Sequence, residues 1–180
     1  MIKKYVISGV PGSGKKEIMK NLSEKYANQF YFIGNAAEDL GFNNKNMDKM
    51  PDSEIKKSQI QGFRMQQDWE KDVFRIKNKD KFIQNASLVN WYAYYHKIFN
   101  FKDEFCDEMA KTIKDEGNYE KIFFLNGDPK GPVKNMYIHN MLLFTYRDDF
   151  GFKVLQEPGY YELKDNLEKR AEWILSEINK

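Results

Sequence analysis

Cysteine is nearly absent. The single Cys106 rules out an intramolecular disulfide. With only His96 and His139 beside it, a structural Cys/His zinc centre is excluded as well. Long apolar runs are also missing. None approaches the roughly 18 residues that a membrane helix needs, and the N-terminus lacks the apolar core of a signal peptide. A cytoplasmic protein without a membrane partner is the expectation. Nor is one sign of charge in excess: 29 Lys and Arg stand against 27 Asp and Glu, a net +2. A dedicated nucleic-acid binder would carry a clear basic surplus. No internal repeat or low-complexity linker divides the 180 residues, which suffice for one domain, 1–180.

Aromatic residues are plentiful. They make up 16% of the chain, within a hydrophobic fraction of 41%, so Phe and Tyr are expected to build the core. Apolar runs bounded by glycine or turn residues predict five strands: 3–8, 30–34, 81–85, 121–125 and 153–155. Helical spacing predicts helices over 15–26, 53–77, 88–99, 101–116, 136–149 and 163–178. Polar residues from Gly41 to Ser53 predict a mobile loop, and Gly127, Pro129, Gly131 and Pro132 mark another over 126–135. Strands alternating with helices imply right-handed βαβ units. The expected fold is a three-layer α/β/α sandwich around a five-stranded parallel sheet, with its ligand at the carboxyl ends of the strands.

The specific motif is Gly9-Val10-Pro11-Gly12-Ser13-Gly14-Lys15, which fits G-x-x-x-x-G-K. Glycines let successive backbone N–H groups turn toward phosphate oxygens. The positive end of the following helix points at the same place. Lys15 supplies a compact cation for the β- and γ-phosphates. The expected nucleotide-binding residues are Gly9, Pro11, Gly12, Ser13, Gly14, Lys15, Lys16 and Glu17. Lys16 stands where the motif usually has Ser or Thr, whose hydroxyl holds Mg²⁺. Three readings follow: the metal is held through waters, Lys16 adds a charge to the phosphates, or Lys16 faces solvent.

Ile7 to Lys15 resembles the opening of the P-loop nucleoside and nucleotide kinases. It is similar in particular to the AAA-type ATPase/kinase group related to nicotinamide riboside kinase-like and deoxynucleoside kinase-like proteins. Adenylate kinases share Pro11-Gly12-Ser13-Gly14-Lys15 and also lack a hydroxyl directly after the lysine. The resemblance puts Asn35 and Glu38 where these kinases carry acceptor-site Glu and Arg. It puts Asn85, Ala86 and Ser87 at the Asp-Arg-Ser stretch, of which only Ser87 matches. The 126–135 loop resembles a phosphate-closing lid, with Lys130 and Lys134 but no arginine. Glu157-Pro158 follows where adenine is usually cradled.

What the resemblance implies is ATP-dependent phosphoryl transfer to a nucleoside, nucleotide or similar small molecule. Lys15, Lys130 and Lys134 would act on the transferring phosphate. Asn35, Glu38, Arg64, Asn85 and Ser87 would meet the acceptor. ATP is the expected cofactor, with Mg²⁺ held through water and no protein residue assigned as its ligand. The competing reading is a non-catalytic nucleotide-binding protein on a degenerate kinase scaffold, favoured by Asn35, Asn85 and Ala86. A stand-alone NTPase switch is the third, and no stretch resembles switch elements. His96, His139 and the aromatics Trp91, Tyr92 and Tyr95 are expected in packing roles. Arg147 and Arg170 read as surface charges.

Overall fold

A computed structural model describes residues 2–41, 49–73, 75, 79–127, 133–159 and 163–180. Five strands form one sheet: β1 (Lys3–Gly9), β2 (Tyr31–Ile33), β3 (Lys81–Asn85), β4 (Tyr119–Leu125) and β5 (Val154–Gln156). Their order is β2-β3-β1-β4-β5, and every neighbouring pair is parallel. All five predicted strands are present. Seven helices accompany them among the described residues. They are α1 (Lys15–Tyr26), α2 (Ala36–Asp39), α3 (Asp52–Val73), α4 (Leu88–Ala93), α5 (Glu104–Glu116), α6 (Val133–Phe144) and α7 (Leu163–Ile178). Wider π-type turns over Tyr94–Ile98 and Thr145–Asp149 continue α4 and α6. Helix α6 starts earlier than Met136, where its apolar pattern begins.

Alternation along the strands assigns side chains to two cores. Tyr5, Ile7, Ile83, Phe123 and Leu125 face α1 and α7, meeting Ile18, Leu22, Ala171, Ile174 and Ile178. Val6, Ile122 and Phe124 face the other way, toward Phe63, Leu88, Met109, Ile113, Ile138 and Leu142. Each fully buried aliphatic chain here contributes roughly 1.5–3 kcal/mol. The sheet therefore lies between two helical layers, as expected.

The strand order creates the site. The chain leaves β1 toward β2 with α1 on one face. It leaves β3 toward β4, passing over β1, with α4 and α5 on the other. The two connections diverge from adjacent strands and open a crevice beyond the carboxyl ends of β1 and β3. One close contact shapes its wall. A Cβ at Gly62 of α3 would stand 2.1 Å from the Trp91 ring. Glycine inside a helix costs about 1 kcal/mol; here it lets the indole lie directly on the backbone of α3.

No helix among the described residues is long and apolar enough to cross a membrane. Residues 42–48 of the expected mobile loop and 128–132 of the lid-like loop lie outside the described residues.

Candidate active site

The bend between β1 and α1 is open toward the crevice. Gly9 has φ 142°, and a Cβ there would stand 2.7 Å from the Leu125 carbonyl oxygen. Only glycine allows β1 to run this close to β4. Gly12 and Gly14 have φ 80° and 84°, the left-handed region that glycine enters without steric cost. Gly14 caps α1 without a side-chain hydrogen bond, so the positive end of the helix is left for an outside acceptor.

Lys15 folds back under the loop. Its ammonium donates to the carbonyls of Gly9 and Val10, both at 2.7 Å, and to Ser13 Oγ at 3.3 Å. Burial pushes its pKa down to about 8, partly offset by Glu17 and Glu38. A cation held by neutral carbonyls keeps its full charge available to an anion. The amide of Ser13 is different from the rest of the expected cradle: it donates to the Val10 carbonyl at 3.2 Å. Ser13 thus serves the turn itself, and its residue is buried.

Across from this loop lies a wall of amides and rings. Together they enclose a cavity of about 670 Å³, lined by the phosphate loop, Asn35, Glu38, Gln59, Asn85, Trp91 and Tyr94, among others. That volume is in the range of ordinary small-molecule sites. Glu38 spans the opening, 3.4 Å from Lys16 Nζ and 3.5 Å from Asn85 Nδ2. Gln59 Oε1 and Asn85 Oδ1 are buried without a hydrogen-bond partner. Such acceptors are costly unless a ligand or water supplies a donor. Ala86, at the tip of β3, has φ 67°, an uncommon backbone for a residue with a Cβ.

No family model matches this sequence, and no curated protein matches it either. Solved structures do. The deoxyadenosine kinase from M. mycoides with bound dATP superposes with TM-score 0.64 at 14% identity, covering 99% of this chain and 100% of that one. Thymidylate kinase from Candida albicans gives 0.64 at 14% identity, over 99% and 93% of the two chains. Thymidylate kinase from Ehrlichia chaffeensis gives 0.61 at 12%, over 98% of each. The chain has the fold of the P-loop nucleoside and nucleotide kinases. At these identities the likeness extends to the fold, and the site must be argued from its own residues.

Within this kinase fold, ten of the expected site residues meet at one cavity: Gly9, Pro11, Gly12, Gly14, Lys15, Lys16, Glu17, Asn35, Glu38 and Asn85. Asn35 also caps α2, accepting the Ala37 N–H at 3.0 Å. Two expected acceptor residues lie elsewhere. Ser87 caps α4 and sits 2.7 Å from the Tyr146 hydroxyl, where its hydroxyl is fully occupied by the fold. Arg64 points to Glu108 at 2.5 Å and stacks over Phe105, because its position on α3 faces α5. Lys130 and the side chain of Lys134 lie outside the described residues.

Arg170 is not on the surface. Its side chain is 2% exposed and bonds to Glu157 and to the Ser13 carbonyl, so α7 reaches the phosphate loop. All four arginines, Arg64, Arg75, Arg147 and Arg170, pair with carboxylates. None lines the cavity. Tyr95 belongs to the core and Tyr92 packs beside it, as expected, whereas Trp91 and Tyr94 also face the cavity. His96 packs near Tyr92 and His139 near Phe124; burial pushes the His139 pKa below its ordinary value.

The residues present do not suit direct ligation of Mg²⁺ at the phosphate loop. Lys16 replaces the hydroxyl, Ser13 Oγ accepts from Lys15, and Glu38 is paired with Lys16. No group of three or more His, Cys, Asp or Glu poised for a metal occurs among the described residues.

Proposed function

We propose that this protein transfers the γ-phosphoryl group of ATP to a hydroxyl of an uncharged, nucleoside-like acceptor. The observation that carries this reading is one cavity with an open phosphate loop on one wall and a carboxylate, Glu38, on another. The amides at the start of α1 and the ammonium of Lys15 take the phosphates. The acceptor hydroxyl oxygen attacks the γ-phosphorus, the bond to the ADP oxygen breaks, and the hydroxyl proton passes to Glu38. Lys130 and Lys134 are the candidate cations to close over the transferring group. Mg²⁺, the usual companion of ATP in solution, would bring extra charge neutralisation with the nucleotide; among the described residues the phosphate loop offers it no direct ligand.

Charge placement favours a neutral acceptor. Among the described residues, the cations lining the cavity are Lys15 and Lys16, both on the phosphate loop. The acceptor side offers Gln59, Asn85, Trp91 and Tyr94 instead. Unpartnered amide oxygens suit N–H donors of a base, and aromatic faces suit its stacking. A nucleoside monophosphate would bring a second anion with no matching cation on the acceptor side among the described residues.

One observation favours a second reading, nucleotide binding without catalysis. Lys16 Nζ lies 3.4 Å from Glu38, so the candidate base is engaged by a cation of the phosphate loop rather than left free for an acceptor hydroxyl. Phosphate transfer from ATP and from GTP to a panel of nucleosides and nucleoside monophosphates separates the two. The kinase reading expects transfer to nucleosides that disappears in Lys15→Ala and in Glu38→Gln. Nucleotide binding with no transfer to any acceptor establishes the second reading. No binding at all defeats both.

A further inference from the structure

The phosphate loop rests on a buried ion pair. Arg170 of α7 and Glu157, just after β5, are 2% and 1% exposed. They meet through two bonds, Nε to Oε1 at 2.5 Å and Nη2 to Oε2 at 2.9 Å. The same Nη2 donates to the Ser13 carbonyl at 2.9 Å. Glu157 Oε2 also accepts the Asn126 N–H at 3.0 Å, and Asn126 Nδ2 donates to the Glu157 carbonyl at 2.9 Å. The pair therefore ties together the loops that follow β1, β4 and β5.

Such a pair is a poor source of net stability. Desolvating two charges costs about as much as their attraction returns, and apolar residues of similar volume often serve as well or better. What apolar residues cannot do is hold a carbonyl. Ser13 sits at the centre of the bend: its N–H closes the turn on Val10, its Oγ accepts from Lys15, and its carbonyl is taken by Arg170.

We propose that Arg170 is a positioning residue: braced by Glu157, it fixes the Ser13 carbonyl and thereby sets the turn that presents Lys15 and the amides of α1 to a polyphosphate. The inference rests on the loop being a phosphate site, as argued above. Electrostatics is consistent with the geometry, since the guanidinium adds to burial in lowering the Lys15 pKa. Removing it should raise that pKa, both by deleting a like charge and by loosening the loop.

The test uses the full chain and two measurements. One is affinity for inorganic tripolyphosphate. The other is the titration midpoint of Lys15, followed through its ε-carbon by NMR in protein without ligand. The variant is Glu157→Gln/Arg170→Gln, which leaves no unpaired buried charge. It is expected to melt cooperatively, to bind tripolyphosphate about tenfold more weakly, and to titrate Lys15 above the wild-type midpoint. A purely structural pair would lower the melting temperature and leave the affinity where it was, since the lost charge by itself moves only the midpoint; unchanged affinity in the folded variant overturns the proposal. If the double variant does not fold, Arg170→Lys takes its place, because one ammonium cannot reach Glu157 in two bonds and Ser13 as well. If the wild-type protein binds no tripolyphosphate, the proposed function fails. The Lys15 midpoint in Arg170→Lys, which keeps the charge and loses the geometry, then still decides the positioning role, and a midpoint unmoved in that variant sinks it.

Discussion

Two lysines at opposite ends of the sheet, Lys4 buried and Lys15 half-buried, have opposite fates. Lys4 enters β1 at the amino edge, and its ammonium meets Glu70 Oε2 at 3.4 Å and the Glu116 carbonyl at 3.0 Å. The rings of Phe82 and Tyr119 stand beside it, with centroids 6.0 and 5.7 Å away. Glu70 in turn accepts from Gln84 Nε2 at 3.0 Å and from the Tyr119 hydroxyl at 3.1 Å. Lys15 follows β1 at the carboxyl edge, where its ammonium is bonded to two carbonyls and a hydroxyl. A lysine matched by a carboxylate is a closed unit. A lysine held by neutral oxygens is a positive charge waiting for an anion. The difference teaches that burial of a charge alone does not mark a site; the sign of what surrounds it does.

The largest effects should come from breaking the closed unit. Replacing Glu70 by Ala strands the Lys4 ammonium in the interior, and loss of one partner of a buried pair costs about 3–5 kcal/mol. Denaturant unfolding should register that loss, while folded protein at low temperature retains its tripolyphosphate affinity. A fall in that affinity equal to that of Lys15→Ala would show that the two ends are not separate. Burial pushes the Glu70 pKa up against the pull of Lys4 and its hydrogen bonds. The folded chain therefore keeps this proton to higher pH than the unfolded chain does, and the residue's contribution to stability declines as pH rises through that interval.

Lys15→Ala should do the reverse. Binding of tripolyphosphate should weaken by about a hundredfold, the loss of roughly two charge-assisted contacts. Stability should not fall, since a desolvated cation has been removed. Calorimetry and thermal melts of the same samples check both halves. A variant that binds normally would mean that the amides of the loop suffice.

A smaller effect follows from the Lys15 pKa of about 8. Its folded value lies below the ordinary lysine value. The charge therefore costs stability below about pH 8, and this cost is relieved as pH rises toward the unfolded value. Anion binding needs the protonated form. Between pH 7 and 9 the wild-type affinity should fall about tenfold, with no such step in Lys15→Arg. A flat profile in the wild type would place the titration of Lys15 outside this range.

The strands and the phosphate loop were legible because both are written in local pattern. Apolar runs such as Ile122-Phe123-Phe124-Leu125 and the glycine spacing around Lys15 need no partner to be seen. The far wall was not legible, because helix α3 turns an amide face inward. Gln59, Gly62, Gln66, Gln67 and Glu70 are buried alongside Ile55, Phe63 and Val73. A search for apolar periodicity passes over such a face, although Gln59 and Gln66 fall four residues after Ile55 and three after Phe63. Arg170 was misread for the same reason. It lies three residues after Leu167 and four before Ile174, on the apolar stripe of α7, and its charge outweighed its position. Ser87 and Arg64 were placed by order along the chain, which fixes the element but not the direction of a side chain.

The smallest effect concerns Lys16, the residue that departs from the motif. Its side chain is 76% exposed and that of Glu38 is 45% exposed, so their pair contributes at most about 1 kcal/mol. Yet it occupies the place of a metal-ligating hydroxyl. If the chain relies on its own cations, replacing Mg²⁺ by EDTA should change wild-type tripolyphosphate affinity by less than about threefold, a difference below 1 kcal/mol. Lys16→Ser restores a hydroxyl and frees Glu38, so the same exchange should then cost more than it does in the wild type. A wild-type protein that already loses its ligand on chelation would show that the ion is held without any side chain of this loop. Lys16 would then be a solvent-facing residue of the first helical turn, and the carboxyl edge would owe its positive charge to Lys15 and the amides of α1.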